Sequence, residues 1–170
     1  MKTKVVIFLL MLGHLGALAQ HDHSKSSDEK KTEQTAALFK DVKLGSAYQQ
    51  YLTLKNALVA SAYEEAKQAA SELEKKLTGL NGSVAAVESA AKIAKESTLK
   101  EQRKIFSKLS NEMATLVKGG QLSSGSLYLE YCPMANSNEG AFWLSNEKEI
   151  RNPYFGDKML KCGMVKEIIQ

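Results

Sequence analysis

The chain has 170 residues, 44% of them apolar and 25% charged, with 23 basic against 19 acidic side chains and a formal net charge of +4. Leaving out Lys2 and Lys4 of the basic N-terminal head, 21 basic residues face 19 acidic ones, a net of +2. That balance is too slight for a nucleic-acid footprint, while about 150 residues suffice for one domain with a real core.

In chain order, Met1-Lys2-Thr3-Lys4 is a short basic head and Val5 to Leu12 an apolar run too short to span a bilayer; Ala17-Leu18-Ala19 fits a small-x-small cleavage site. Residues 1–19 are therefore expected to be a signal peptide, and the mature protein periplasmic or secreted, with no membrane span. No cysteine follows the cleavage point to carry a lipid anchor. Residues 20–36 are charged and aperiodic, which predicts a disordered polar tail. The tail holds His21 and His23, the only histidines beyond the leader. Next to a free amine they would suit square-planar Cu(II), but a plain polar tail asks less of them.

Residues 37–120 carry helical spacing. One stripe runs Leu44, Tyr48, Tyr51, Leu58, with Leu52 and Val59 alongside, and a second runs Tyr63, Ala66, Ala70, Leu73, Leu77, Leu80. Ser61-Ala-Tyr-Glu64 reads as a capping box where the two helices meet, and Gly79 to Ser83 as a turn. A third stripe takes Val84, Val87, Ala91, Ala94; a fourth takes Leu99, Gln102, Phe106, Leu109, Met113, Leu116 and stops at Gly119-Gly120. The break between these two falls near Glu96-Ser97-Thr98. Short connections favour antiparallel neighbours, so the expected fold is mainly α: an up-and-down bundle of about four helices, with Tyr51, Leu58, Leu73, Phe106 and Leu109 buried.

Residues 121–170 change composition and predict a small irregular C-terminal subdomain. Leu127 to Tyr131 alternates as a strand does, Ala141 to Leu144 is its natural partner, and Asn136 to Gly140 offers turn chemistry between them, which together predict a β-hairpin. Asn152-Pro153 must be extended or turned, and Phe155 to Leu160 fits a single helical turn. Trp143 in its apolar run is expected to be core, and Arg151 to anchor a turn.

Both cysteines, and three of the four methionines beyond the leader, lie in the last forty residues: Cys132, Met134, Met159, Cys162 and Met164. Thiolate and thioether are soft donors suited to Cu(I). An exported protein also meets an oxidising compartment, where two thiols pair, and methionine is a common gap-filler. A soft-metal site and a structural Cys132–Cys162 disulfide are both open on this chemistry. An enzyme is not expected: the folded region has no histidine to act as a base, and Ser123-Ser-Gly-Ser126 lacks a strand–elbow–helix setting.

The strings Tyr131-Cys-Pro-Met-Ala135, Gly140-Ala141, Trp143-Leu-Ser145, Ile150-Arg-Asn-Pro-Tyr-Phe-Gly156, Met159-Leu160 and Cys162-Gly163 resemble the C-terminal signature of an uncharacterised exported bacterial domain family of unknown function. That family is also found attached to copper-efflux membrane-fusion proteins. Tyr51 to Val59 and Gln102-Arg103-x-x-Phe106 are similar to its helical part. Cys132-Pro-Met134 and Lys161-Cys-Gly-Met164 further resemble the short heavy-metal-binding motif of metal-efflux proteins, Cys-Pro-Met-His-Pro with Cys-Pro-x-Cys-Gly-Met. Ala135 replaces its histidine and Met159 a cysteine, leaving a Cys/Met set that disfavours tetrahedral Zn²⁺. The resemblance implies an envelope protein that binds a soft metal, Cu(I), through Cys132, Met134, Met159, Cys162 and Met164, in copper handling beside an efflux adaptor protein. The alternative is a non-metal protein-interaction module stapled by the disulfide.

Overall fold

The computed structural model describes residues 37–170. The expected signal peptide, the polar tail and His21 and His23 lie outside the described residues. The three-and-four spacing folds as four helices: α1 (Val42–Val59), α2 (Tyr63–Leu77), α3 (Val84–Lys95) and α4 (Leu99–Gly119). Each packs on the next and α4 returns to α1. The five expected core residues are all fully buried, and no strand occurs between Leu44 and Lys118.

The helix ends have local causes. Asp41 caps α1, its carboxylate accepting the amide N–H groups of Lys43 and Leu44 at 2.8 and 3.3 Å, and the Thr98 hydroxyl accepts that of Glu101 at 3.2 Å. The expected capping box at Ser61 does not form. Ala62 is the cap of α2 without a side-chain bond, and Ser61 turns left-handed at φ 56°. Its hydroxyl is instead taken by Arg103 of α4, at 2.9 Å. The stripe of α3 is also displaced from the expected one, because Ala86, Ser89, Ala90 and Ile93 face the core while Val84 is 72% exposed. Small residues on that face let α3 lie close against α2 and α4, and a valine at a helix start lies outside the contact.

Two small sheets accompany the bundle. β1 (Leu38–Phe39) pairs antiparallel with β2 (Leu122–Ser124), joining the two ends of the helical region. The expected hairpin is present as β3 (Leu127–Cys132) and β4 (Ala141–Ser145), in register Leu129 to Leu144 and Tyr131 to Phe142. Its connection holds Asn136, Ser137, Asn138 and Gly140 at positive φ. A strand absent from the sequence reading, β5 (Met164–Ile169), completes a three-stranded sheet of order β4-β3-β5. Its alternation is obscured by a register irregularity between Leu129 and Glu130 of β3 and by mostly exposed side chains.

The sheet meets the bundle through its β4 edge. Successive strand residues direct their backbone groups to opposite sides, so with Ala141, Trp143 and Ser145 facing β3, the N–H of Leu144 and the C=O of Phe142 point outward. Tyr51 Oη accepts the Leu144 N–H at 3.1 Å, and the Tyr154 hydroxyl donates to the Phe142 carbonyl. An unpaired edge that would otherwise invite pairing with another chain is thereby closed. A run of aromatic contacts crosses the molecule along the same line, Phe39 to Tyr48, Tyr51, Phe106, Tyr154 and Trp143, with centroid spacings from 5.3 to 6.1 Å. Bundle and sheet share one hydrophobic core.

Candidate thiol site

Cys132 ends β3 on the face that also carries Glu130, and it is fully buried; Cys162 lies half-buried in the loop before β5. Their sulfurs are 2.9 Å apart. The Cys162 thiol is pushed up to about 11, first by its hydrogen bond to Cys132, then by desolvation and by the neighbouring sulfur's charge. At this separation no S–S bond joins them.

The backbone under Cys162 is pinned from several sides. Asn152 is fully buried: its amide donates to the Cys162 carbonyl at 2.7 Å, and its side-chain oxygen accepts the Tyr154 N–H at 2.8 Å. The Asn152 N–H donates to the Leu160 carbonyl at 2.9 Å, and the Cys162 N–H to the Met159 carbonyl at 3.0 Å. The glycine after Cys162 is required by packing: at Gly163, φ is +148° and an added Cβ would lie 2.8 Å from the Trp143 ring. The Cys-Gly pair in the sequence thus has a steric cause that holds with or without a metal. Gly156, at φ +58°, is as tightly placed, since a Cβ there would lie 2.6 Å from Ser61 Oγ and 2.9 Å from Arg103 Nη2.

Arg103 spans bundle and loop. Its Nε donates to the Pro153 carbonyl and its Nη2 to the Leu58 carbonyl, each at 2.8 Å. Arg151, expected to anchor this turn, is exposed, because a buried carbonyl cluster is reached more directly from α4 than from the loop itself. The expected single helical turn over Phe155 to Leu160 is present as a 3₁₀ turn, Gly156–Met159, with Phe155 and Leu160 at its ends. As a positioning residue Asn152 carries only a slender signal in sequence, an Asn before Pro, and Arg103 within Gln102-Arg103-x-x-Phe106 carries none that points to the loop.

The methionines separate into two groups. Met134 is 48% exposed in the turn two residues beyond Cys132, and Met159 is half-buried at the end of the 3₁₀ turn. Met164 pairs directly with Tyr131, and paired residues share a face while successive ones alternate. It therefore lies on the opposite face of the sheet from Cys132, 47% exposed. Among the described residues no three His, Cys, Asp or Glu side chains are grouped so that they could hold a metal ion.

The donor set can be tested against geometry. Two thiolates at about 2.3 Å from one tetrahedral metal lie about 3.8 Å apart, and two bonded sulfurs about 2.05 Å apart. The observed 2.9 Å falls midway. About 0.9 Å of movement leads to either state, within reach of side-chain rotation over a fixed backbone. Met134 and Met159 lie on the same two segments as Cys132 and Cys162, whereas Met164 lies on the far face of the sheet.

Two residues along β3, Glu130 is fully buried against Lys55 of α1, itself 5% exposed. Neither carboxylate oxygen meets hydrogen-bond geometry, nor does Trp143 Nε1, which approaches closely enough to act on the titration of Glu130. Burial pushes Glu130 up to about 8, against the opposing pull of Lys55 and Trp143 and with a further push from Glu147. Burial lowers Lys55, partly offset by Glu130 and Glu147.

A helical bundle closed by an edge-docked sheet, with one convergent thiol pair, is the class of protein these features define. Residues 47–125 match the model of a family described as "Protein of unknown function (DUF3347)", so the chain contains a domain of unknown function over the helices. The match ends before β3 and leaves out both cysteines. Neither the curated proteins nor the solved structures contain a match.

Proposed function

We propose that this is an exported, non-enzymatic envelope protein that binds a soft monovalent metal, Cu(I), as cargo in copper handling. Cys132 and Cys162 are the anionic donors, and Met134 and Met159 the neutral ones. The observation that carries the reading is the convergence of two thiols 30 residues apart in sequence on a pinned backbone, 2.9 Å from each other. Each has a thioether within three residues on its own segment. A disulfide staple has no use for those thioethers, whereas a soft cation does. The likeness of Cys132-Pro-Met134 and Cys162-Gly-Met164 to the heavy-metal-binding motif of efflux proteins supports the same reading and makes an efflux adaptor the partner to test.

Binding requires both sulfurs as thiolates, so metal uptake releases protons and strengthens with pH. The test is an anaerobic titration of the reduced protein against a Cu(I) chelator, in a variant lacking residues 20–23. Cys132→Ser or Cys162→Ser abolishes uptake, Met134→Leu and Met159→Leu weaken it less, and Met164→Leu leaves it unchanged. Equal copper uptake by the intact and serine proteins refutes the site. A protein that cannot take up Cu(I) after full reduction leaves the disulfide-stapled interaction module as the better reading.

A further inference from the structure

The two thiols differ in access. Cys132 is enclosed by β3 and the core, whereas Cys162 is half-buried in a loop open to solvent, so a dissolved disulfide meets Cys162 alone. The segments that carry the pair are joined by contacts other than a bond between the sulfurs. The β3–β5 ladder, the Asn152 amide on the Cys162 carbonyl and the seat of Gly163 on Trp143 hold the two segments together through groups other than the sulfurs. A linkage between segments already joined, with one accessible sulfur backed by a second at 2.9 Å, is arranged to open and close.

We propose that Cys132 and Cys162 form a reversible dithiol that exchanges stoichiometrically with small disulfides, with Cys162 attacking first and Cys132 resolving the mixed disulfide. In the first step the Cys162 thiol gives up its proton and its sulfur bonds to one sulfur of the small disulfide. The old S–S bond breaks and its other half leaves as a thiolate that takes a proton. In the second step Cys132 gives up its proton and attacks the Cys162 sulfur, expelling the second small thiol. Two protein thiols are oxidised to one disulfide and one small disulfide is reduced to two thiols. The order follows from access and not from acidity: the raised Cys162 thiol attacks through a small thiolate fraction and exchange is correspondingly slow, but an incoming molecule cannot align with Cys132 at all unless the sheet opens. The inference rests on the thiols and not on the metal, but it bears on the proposed cargo: the oxidised pair has no thiolate to offer, so oxidation switches metal uptake off.

The full chain, fully reduced, is mixed with oxidised glutathione under anaerobic conditions and followed by intact mass. The wild type loses two hydrogens and releases two small thiols, and a dithiol reductant restores it. Cys132→Ser stops at a glutathione adduct on Cys162. Cys162→Ser forms its adduct on Cys132 at least about a hundredfold more slowly under native conditions, as expected for a thiol reached only by local opening, and at an ordinary rate in denaturant. Comparable native rates for the two serine variants overturn the proposed order, and a wild-type adduct that persists unresolved overturns the dithiol. Exchange in a protein that takes up no Cu(I) when reduced sinks the metal reading alone; Cu(I) uptake without exchange sinks this one alone.

Discussion

The bundle and the C-terminal sheet are held by different kinds of interaction. In the bundle the stripe is redundant: Leu54, Leu58, Leu73, Leu77, Leu109 and Met113 are all fully buried in a shared core, and no single one of them sets where the helices lie. The C-terminal region depends on a few particular groups, namely Asn152, Arg103, the hydroxyls of Tyr51 and Tyr154, and the glycines at 156 and 163. Apolar burial is non-directional and divisible, while a buried hydrogen bond is made or lost as a unit. A bundle of this kind therefore drifts gradually under mutation, and a region built on such contacts fails at one residue.

The largest expected effect tests that contrast through Glu130. Its pKa is about 8 in the folded state against an ordinary 4.5, so the fold binds its proton more tightly than the unfolded chain does. Stability from this group is intact below pH 4.5, falls as pH rises from there to 8, and is constant above. The full excursion is roughly 4–5 kcal/mol, a large part of a domain's usual margin. Glu130→Gln removes the slope, and Lys55→Met leaves the onset near pH 4.5 but extends the loss to higher pH and deepens it, because the cation that lowers the folded Glu130 pKa is gone. Denaturant melts of the three proteins at pH 5, 7 and 9 decide it; parallel pH profiles for wild type and Glu130→Gln would show that this carboxyl does not titrate as described.

Next comes Asn152→Ala, which strands the Cys162 carbonyl and the Tyr154 N–H and costs roughly 2–4 kcal/mol. Its signature is regional. Amide exchange should accelerate in β5 and the Cys162 loop while α2 and α3 keep their protection, and uniform acceleration throughout would erase the distinction between the regions. Tyr51→Phe should cost about 1–2 kcal/mol, since the hydroxyl that accepts the Leu144 N–H also lies 2.7 Å from Ser110 Oγ. The β4 edge is thereby unsealed, and dimerisation or aggregation detected by light scattering should accompany the loss. The smallest effect belongs to the bundle surface, where the Lys75–Glu72 pair at 2.7 Å is well exposed. Lys75→Ala should shift stability by less than about 0.5 kcal/mol, and a larger change in thermal melting would contradict the view of that surface as tolerant.

The sequence by itself determined the four helices, their order and nearly all their ends, because period 3.6 is written into each stripe and Gly79, Gly82 and Gly119-Gly120 punctuate it. It also determined the β3–β4 hairpin, whose alternation and Asn-rich turn are local signals. The displaced face of α3 was not legible, since an Ala-rich helix has nearly the same polarity all round and only its neighbours choose a side. Nor was β5, a strand whose partner lies more than 30 residues upstream and whose exposed side chains give no apolar alternation. For the candidate site, sequence named all five sulfur residues, but only the tertiary structure decided which converge. The β3–β5 register brings Cys162 to Cys132 and, by the same two-residue periodicity, turns Met164 to the far face. The buried Glu130 and Lys55 were hidden for a related reason: a charged residue in a strand or helix reads as solvent-facing until the opposing element is known, and here that element is the other region of the molecule.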